Sequence, residues 1–179
     1  AVHGLSSYFV WLNRSKESVT LDVKQPEGRQ VLARLLSDAD VLVHNLGPGA
    51  AERLGISADA LRPEHPRLIV CAITGYGSSG PYRDKKAYDL LVQSETGLVS
   101  ITGTSDEAAK VPISIADIAA GMYAYSGILT ALIERGRTGR GVAVEVSLFD
   151  ALAEWMSQPA YLTAYGGAAP KRTGARHAS

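Results

Sequence analysis

Cysteine is almost missing from this chain: Cys71 stands alone in 179 residues, so no internal disulfide can form. With no CxxC pair and no Cys/His cluster beside it, a structural zinc site is excluded, and a reducing, cytoplasmic compartment is the expectation. The histidines His3, His44, His65 and His177 have no metal-ligand spacing, so no metal is expected. Net charge is lacking as well. Lys+Arg 18 balance Asp+Glu 18, which removes the electrostatic case for nucleic acid or an anionic membrane as partner. The chain opens AVHGLSSYFVWLNRSK, without a cationic region leading into a sustained apolar core, so neither a signal peptide nor a transmembrane span is expected. The lysine of a P-loop, the GxGxxG dinucleotide fingerprint, the GxSxG elbow and HExxH are all absent.

What is present is an ordinary folded mixture, 46% hydrophobic and 20% charged. The alternation of Ser18 to Val23 predicts a strand or extended segment. Pro26 and Glu27 open a helix in which Val31, Leu32, Leu35 and Leu36 form one buried stripe. Val41 to Val43 predicts a short buried strand ending at His44, and Ala50 to Leu54 a short helix after the Gly47-Pro48-Gly49 break. Leu68 to Ile73, continuous and bounded by breakers, is the clearest strand. Tyr88 to Thr96 reads as helix, Ile118 to Arg135 as a long helix rich in small residues, Val142 to Val146 as a strand and Leu148 to Tyr165 as helix. Strands alternating with helices predict an α/β domain with a mostly parallel sheet, whose ligands sit at strand carboxyl ends.

Two carboxylates draw attention. By position alone Asp117 reads as the N-cap of the long helix. The same position gives a second reading: helix polarity favours the anion, orphan amides lie nearby, and the carboxylate is poised as a nucleophile. Asp89 reads simply as a helix-start residue. The loop Gly75 to Gly80 follows the best strand and reads as either a passive turn or a mobile flap over a ligand. Lys24, Arg53 and Lys86 are solvated charges on their own, and His44 is a structural histidine.

Four collinear segments resemble the class III CoA-transferases, the group of formyl-CoA transferase, carnitine-type CoA-transferases and α-methylacyl-CoA racemase. They are NRSKESVTLDVKQPEGRQVLARLLSDADVLVHNLGPGAAERLG, LIVCAITGYGSSGPY, KKAYDLLVQSETGL and ISIADIAAGMYAYSGILTALIERGRTGRGVAVEVSLFDAL. The resemblance implies a Rossmann-like, mostly parallel sheet with flanking helices. It implies that residues 1–179 are the central part of the large domain of an interlocked homodimer, without the family's N-terminal segment and second domain. In ISIADIAAG the catalytic aspartate falls on Asp117, which would form an aspartyl anhydride and then an aspartyl-CoA thioester. CoA contacts carry over to Leu21, Lys24, Asn45, Leu46, Gly47, Arg53, Lys86 and Tyr88, with the cations suited to the CoA phosphates. The implied partners are an acyl-CoA and a small carboxylic acid; coenzyme A enters as thioester substrate, with no tightly bound cofactor. Racemases of the group carry histidine before the aspartate of the YD segment, where this chain has Tyr88, so transfer is expected over epimerisation. A racemase-like epimerase and a non-catalytic CoA-binding or assembly module are the alternatives. Exposed apolar surface is expected around Trp11, Trp155 and Tyr161, where missing segments and a second subunit would pack.

Overall fold

Three parallel strands organise the molecule: β1 (Val41–His44), β2 (Ile69–Thr74) and β3 (Ala143–Ser147), in the order β1-β2-β3. The computed structural model describes residues 4–176, in two units that divide after Leu35.

The first unit begins with α1 (Ser7–Leu12), whose start is set by Ser6: its hydroxyl accepts the Phe9 N–H at 3.1 Å. The predicted strand at Ser18 to Val23 does not form among the described residues. Alternation specifies which face would be buried, but a strand exists only beside a hydrogen-bonded neighbour, and this segment has none. The Asp22 carboxylate instead accepts the Lys24 N–H at 3.0 Å in a turn leading to α2 (Pro26–Asp38). The predicted α2 stripe is only partly buried. Leu36 is covered, but Leu35 is 50% exposed and Val31 is exposed too, because an apolar stripe needs an opposing surface. Trp11, Trp155 and Tyr161 are exposed as expected.

In the second unit β2 is the middle strand, and Ile69, Val70 and Cys71 are buried there. Val43 aligns with Cys71 and Val144, while His44 aligns with Ala72 and Glu145, so alternate rows face opposite sides of the sheet. Two crossovers build the parallel pairing. The first carries α3 (Ala50–Leu54) and α4 (Ala58–Leu61); the second carries α5 (Asp89–Glu95), α6 (Leu98–Ile101) and α7 (Ile115–Thr138).

Helix α7 is long and apolar enough to cross a membrane by length and composition. Its Ala119, Ala120, Ala124 and Ala131 are nevertheless buried, and Ala119 and Ala120 pack with Ile73, Val146 and Ala151 as a core helix does. The helix comes close to the sheet at Gly127, where a Cβ would stand 2.9 Å from Val144 Cγ1. The far end of α7 is tied down by Arg135, whose side chain is only 12% exposed. It donates to the carbonyls of Asp40 and Arg67 at 3.2 and 3.1 Å, and to Asp40 Oδ1 at 2.7 Å.

Strand β3 passes directly into α8 (Leu148–Trp155). The buried Ser147 makes that junction: its hydroxyl accepts the Asp150 N–H at 2.9 Å and donates to Asp150 Oδ2 at 2.6 Å. The predicted helix from Leu148 to Tyr165 is interrupted at Met156 and resumes as α9 (Ser157–Gly166). Pro159 has no N–H to offer the Trp155 carbonyl, which is where a continuous helix would need one. Below the sheet's carboxyl end, Val92, Ala116 and Leu152 form a buried cluster with Tyr76, Leu98, Leu148 and Phe149 packed around it. Each large apolar side chain so buried contributes roughly 1.5–3 kcal/mol relative to exposure.

Candidate active site

An open cleft of about 1240 Å³ lies at the carboxyl ends of β1 and β2. It is lined by the loop after β1, by the glycine loop after β2, by the segment leading to α5 and by the first turns of α7. Asn45, Leu46, Gly47, Lys86, Tyr88 and Asp117 all border it, although they are dispersed over more than seventy positions in sequence. Leu21 and Lys24 fall in the first unit, outside the unit that carries the cleft. Arg53 does not line the cleft either. It folds back so that its guanidinium occupies the space beside Gly49, 2.8 Å from where a Cβ would stand, and donates to the Pro48 carbonyl at 3.4 Å. Gly49 has φ +67° there, so it is both conformationally and sterically suited to glycine.

Asp117 is not the N-cap. Helix α7 starts two residues earlier, with Ser114 at the cap, so Asp117 is the third residue of its first turn. The orphan amides expected beside it are also taken. Asp89 Oδ1 accepts the Ala116 N–H at 2.8 Å, and the Ile115 N–H reaches the Ile113 carbonyl at 2.8 Å. Burial and the neighbouring Asp89 carboxylate together push the Asp117 carboxyl above its ordinary value. The expectation of a helix-favoured anion is therefore reversed in sign. A more basic carboxylate is the better nucleophile once ionised, and the side chain remains exposed to the cleft.

Asp89 is what the sequence reading missed. It does start α5, but its carboxylate serves another helix: Oδ1 takes the Ala116 N–H and Oδ2 accepts from Gln93 Nε2 at 2.6 Å. Gln93, fully buried, then grips the chain ahead of α7. Its Oε1 accepts the Val111 N–H at 2.9 Å and its Nε2 donates to the Val111 carbonyl at 3.2 Å. The one available signal was the i, i+4 spacing of Asp89 and Gln93.

The glycine loop is pinned rather than free. The Phe149 N–H reaches the Gly75 carbonyl at 3.1 Å, and the Gly77 N–H reaches Thr74 Oγ1 at 2.9 Å. Tyr76 packs against Tyr82 and Phe149, with ring centroids 5.5 and 5.9 Å away. Burial, with the Glu95 carboxylate nearby, pushes the Tyr76 phenol up to about 12. Lys85 pairs with Glu95 and lies 4.4 Å from the Tyr82 ring centroid, whereas the exposed Lys86 makes no ion pair among the described residues. A Cβ on Gly75 would fall 2.4 Å from Ala87 Cβ, so the loop and the approach to α5 touch at a point only glycine allows. His44 also lines the cleft, with its Nδ1 buried and without a hydrogen-bond partner among the described residues. No group of three or more His, Cys, Asp or Glu among the described residues is arranged to hold a metal.

The whole chain, residues 1–179, matches CoA-transferase family III. It is 33% identical over 175 residues to succinyl-CoA:glutarate CoA-transferase of Mus musculus, covering 97% of this chain and 40% of that protein. It is 42% identical over 146 residues to formyl-CoA:oxalate CoA-transferase of Rhodopseudomonas palustris (strain HaA2), covering 81% of this chain and 34% of that protein. A solved CAIB/BAIF family protein from Brucella suis superposes with a TM-score of 0.86 at 36% identity, covering 90% of this chain and 43% of that one. This chain thus spans less than half the length of these relatives, and within that span its parallel sheet, cleft and sequence place it in one group: the chain belongs to CoA-transferase family III.

Proposed function

We propose that the chain carries the nucleophile and much of the CoA cleft of an enzyme that moves coenzyme A from an acyl-CoA thioester to a carboxylic acid. The observation that supports this reading is the meeting of Asp117 with Asn45, Leu46, Gly47, Lys86 and Tyr88 around one cleft. An Asp117 oxygen attacks the thioester carbon, the C–S bond breaks, and a mixed anhydride and CoA thiolate result. The thiolate attacks the aspartyl carbonyl, releasing the donor acid and leaving an aspartyl-CoA thioester. The acceptor carboxylate displaces the thiolate to form a second anhydride, and thiolate attack on the acceptor carbon yields the new acyl-CoA and restores Asp117. No proton is consumed, which suits a site whose principal group is a carboxylate of raised basicity.

Lys86 holds a phosphate of CoA, and the Asn45 to Gly47 loop follows its backbone. Leu21, Lys24 and Arg53 keep their assignment to CoA from the resemblance, Arg53 by bracing the Pro48-Gly49 turn. Tyr88, 67% exposed, positions the thioester; a phenol is too weak a base for proton exchange at the α-carbon. The names of the relatives point to small acids, dicarboxylic ones among them, as donor and acceptor. The exposed Trp155 and Tyr161 suit burial against a second subunit in a homodimer.

The test is trapping with hydroxylamine after acyl-CoA is added to the full-length protein. Asp117 hydroxamate in the wild type, absent from Asp117→Ala, is the expected result. Normal CoA binding with Asp117 never modified sinks the nucleophile and leaves a binding module.

A further inference from the structure

We propose that Glu145 is a positioning residue that seats the glycine loop for binding of the CoA ester. This rests on the function proposed above. Glu145 lies in the middle of β3, in the register row His44, Ala72, Glu145 on the sheet face that borders the cleft. The middle residue of that row is small, so the Glu145 side chain has room to extend toward the loop after β2. Both of its carboxylate oxygens are used by one residue: Oε1 accepts the Ser78 N–H and Oε2 accepts the Ser78 hydroxyl at 2.8 Å. A charged acceptor taking two donors from a single loop residue fixes its orientation as well as its position.

The backbone conforms to this seat. Gly77, with φ +89°, turns the chain so that Ser78 meets β3, and a Cβ on Gly77 would stand 3.8 Å from Glu145 Oε1. Beyond it the segment is held again where Lys85 pairs with Glu95 of α5. Residues 79 to 84 therefore span two fixed points, and Lys86 and Tyr88 follow the second one directly to the cleft wall. With Glu145 removed, the hold at Ser78 is lost, and the chain from Ser78 to Asp84, fixed at Gly77 and Lys85, explores more conformations, which must be narrowed again whenever CoA binds. The consequence falls on affinity, while the chemistry at Asp117 on α7 keeps its own supports.

Three measurements on the full-length protein test this. Trypsin, without substrate, reads loop order at Arg83, Lys85 and Lys86. Calorimetry with free CoA reads affinity, and hydroxamate formation at saturating acyl-CoA reads the chemical step. Glu145→Ala is expected to speed cleavage at these already exposed sites by loosening the segment that carries them, and to weaken CoA binding about tenfold, with the saturated rate changed less than about twofold. Glu145→Gln, which keeps an acceptor, recovers most of the affinity. Ser78→Ala gives an intermediate loss and serves if Glu145→Ala does not fold. Unchanged tryptic protection and CoA affinity, or a fall in saturated rate without loss of affinity, overturns the proposal. Wild-type protein that binds CoA but forms no hydroxamate defeats the transferase reading instead, while trypsin and calorimetry still judge Glu145.

Discussion

Asp89, the first residue of α5, accepts the backbone N–H of Ala116 in the first turn of α7 at 2.8 Å. One carboxylate thus caps from outside the helix that carries Asp117, and its charge raises the affinity of Asp117 for a proton. Holding the helix in place and raising the proton affinity of Asp117 are therefore inseparable at this residue, and substitutions there should disturb both.

Asp89→Asn removes the charge but keeps an oxygen able to accept the Ala116 N–H. The acid limb of kcat/KM should move to lower pH, because one of the two causes raising the Asp117 carboxyl is gone. Asp89→Ala additionally strands a buried amide, at a cost of about 1–3 kcal/mol in urea unfolding. An acid limb identical in wild type and Asp89→Asn would contradict the coupling.

Asp117→Asn should abolish turnover, by at least about a thousandfold, yet stabilise the fold at neutral pH. The sign follows from linkage. A carboxyl raised in the folded state binds its proton more tightly there than in the unfolded chain, so its ionisation opposes folding. That penalty is absent below the ordinary value of 3.8 and complete above the raised one. The melting temperature of Asp117→Asn should exceed that of the wild type at pH 7 and match it near pH 3; the opposite order refutes the raised carboxyl.

Tyr88 predicts a negative result. Acyl-CoA incubated with the full-length protein in deuterated water should exchange CoA with added acids and take up no deuterium at the α-carbon, read by mass spectrometry. Deuterium uptake without CoA exchange would favour the epimerase.

Two glycines separate backbone collision from side-chain crowding. A Cβ on Gly141 would stand 2.1 Å from the Leu68 carbonyl oxygen, a backbone atom that has no rotamer by which to yield, so Gly141→Ala should cost about 2–3 kcal/mol. At Gly127 the neighbour is a single methyl of Val144, and alanine favours the helix by up to about 1 kcal/mol, so Gly127→Ala should be close to neutral. Urea midpoints of the two variants test the contrast.

Much of the architecture was legible in the residues. The run Leu68 to Ile73 gave β2 because a continuous apolar segment between breakers has few alternatives, whereas α7 runs past its expected end at Arg135, through Gly136, and stops at Gly139, φ +74°. Ser18 to Val23 and the α2 stripe were misjudged for one shared reason: periodicity names a face, but only a neighbour makes it a strand or buries it. Asp117 was visible as a candidate through its segment ISIADIAAG, while its true place in the first turn, its raised proton affinity and the occupied amides around it depend on Asp89, twenty-eight positions earlier. The glycine loop shows the same division. Its composition left a passive turn and a mobile flap both open, and contacts with Glu145, Phe149 and Tyr82 hold it in place. Local spacing carries the information for helices, because their hydrogen bonds close within a few residues, whereas a parallel strand is completed by a partner distant in sequence. Strand pairing, charge coupling, capping between helices and loop restraint act through space, so the sequence by itself determined most of the helices, the apolar runs and the family, and only the tertiary structure decided which runs pair, what Asp117 senses and what holds the cleft in shape.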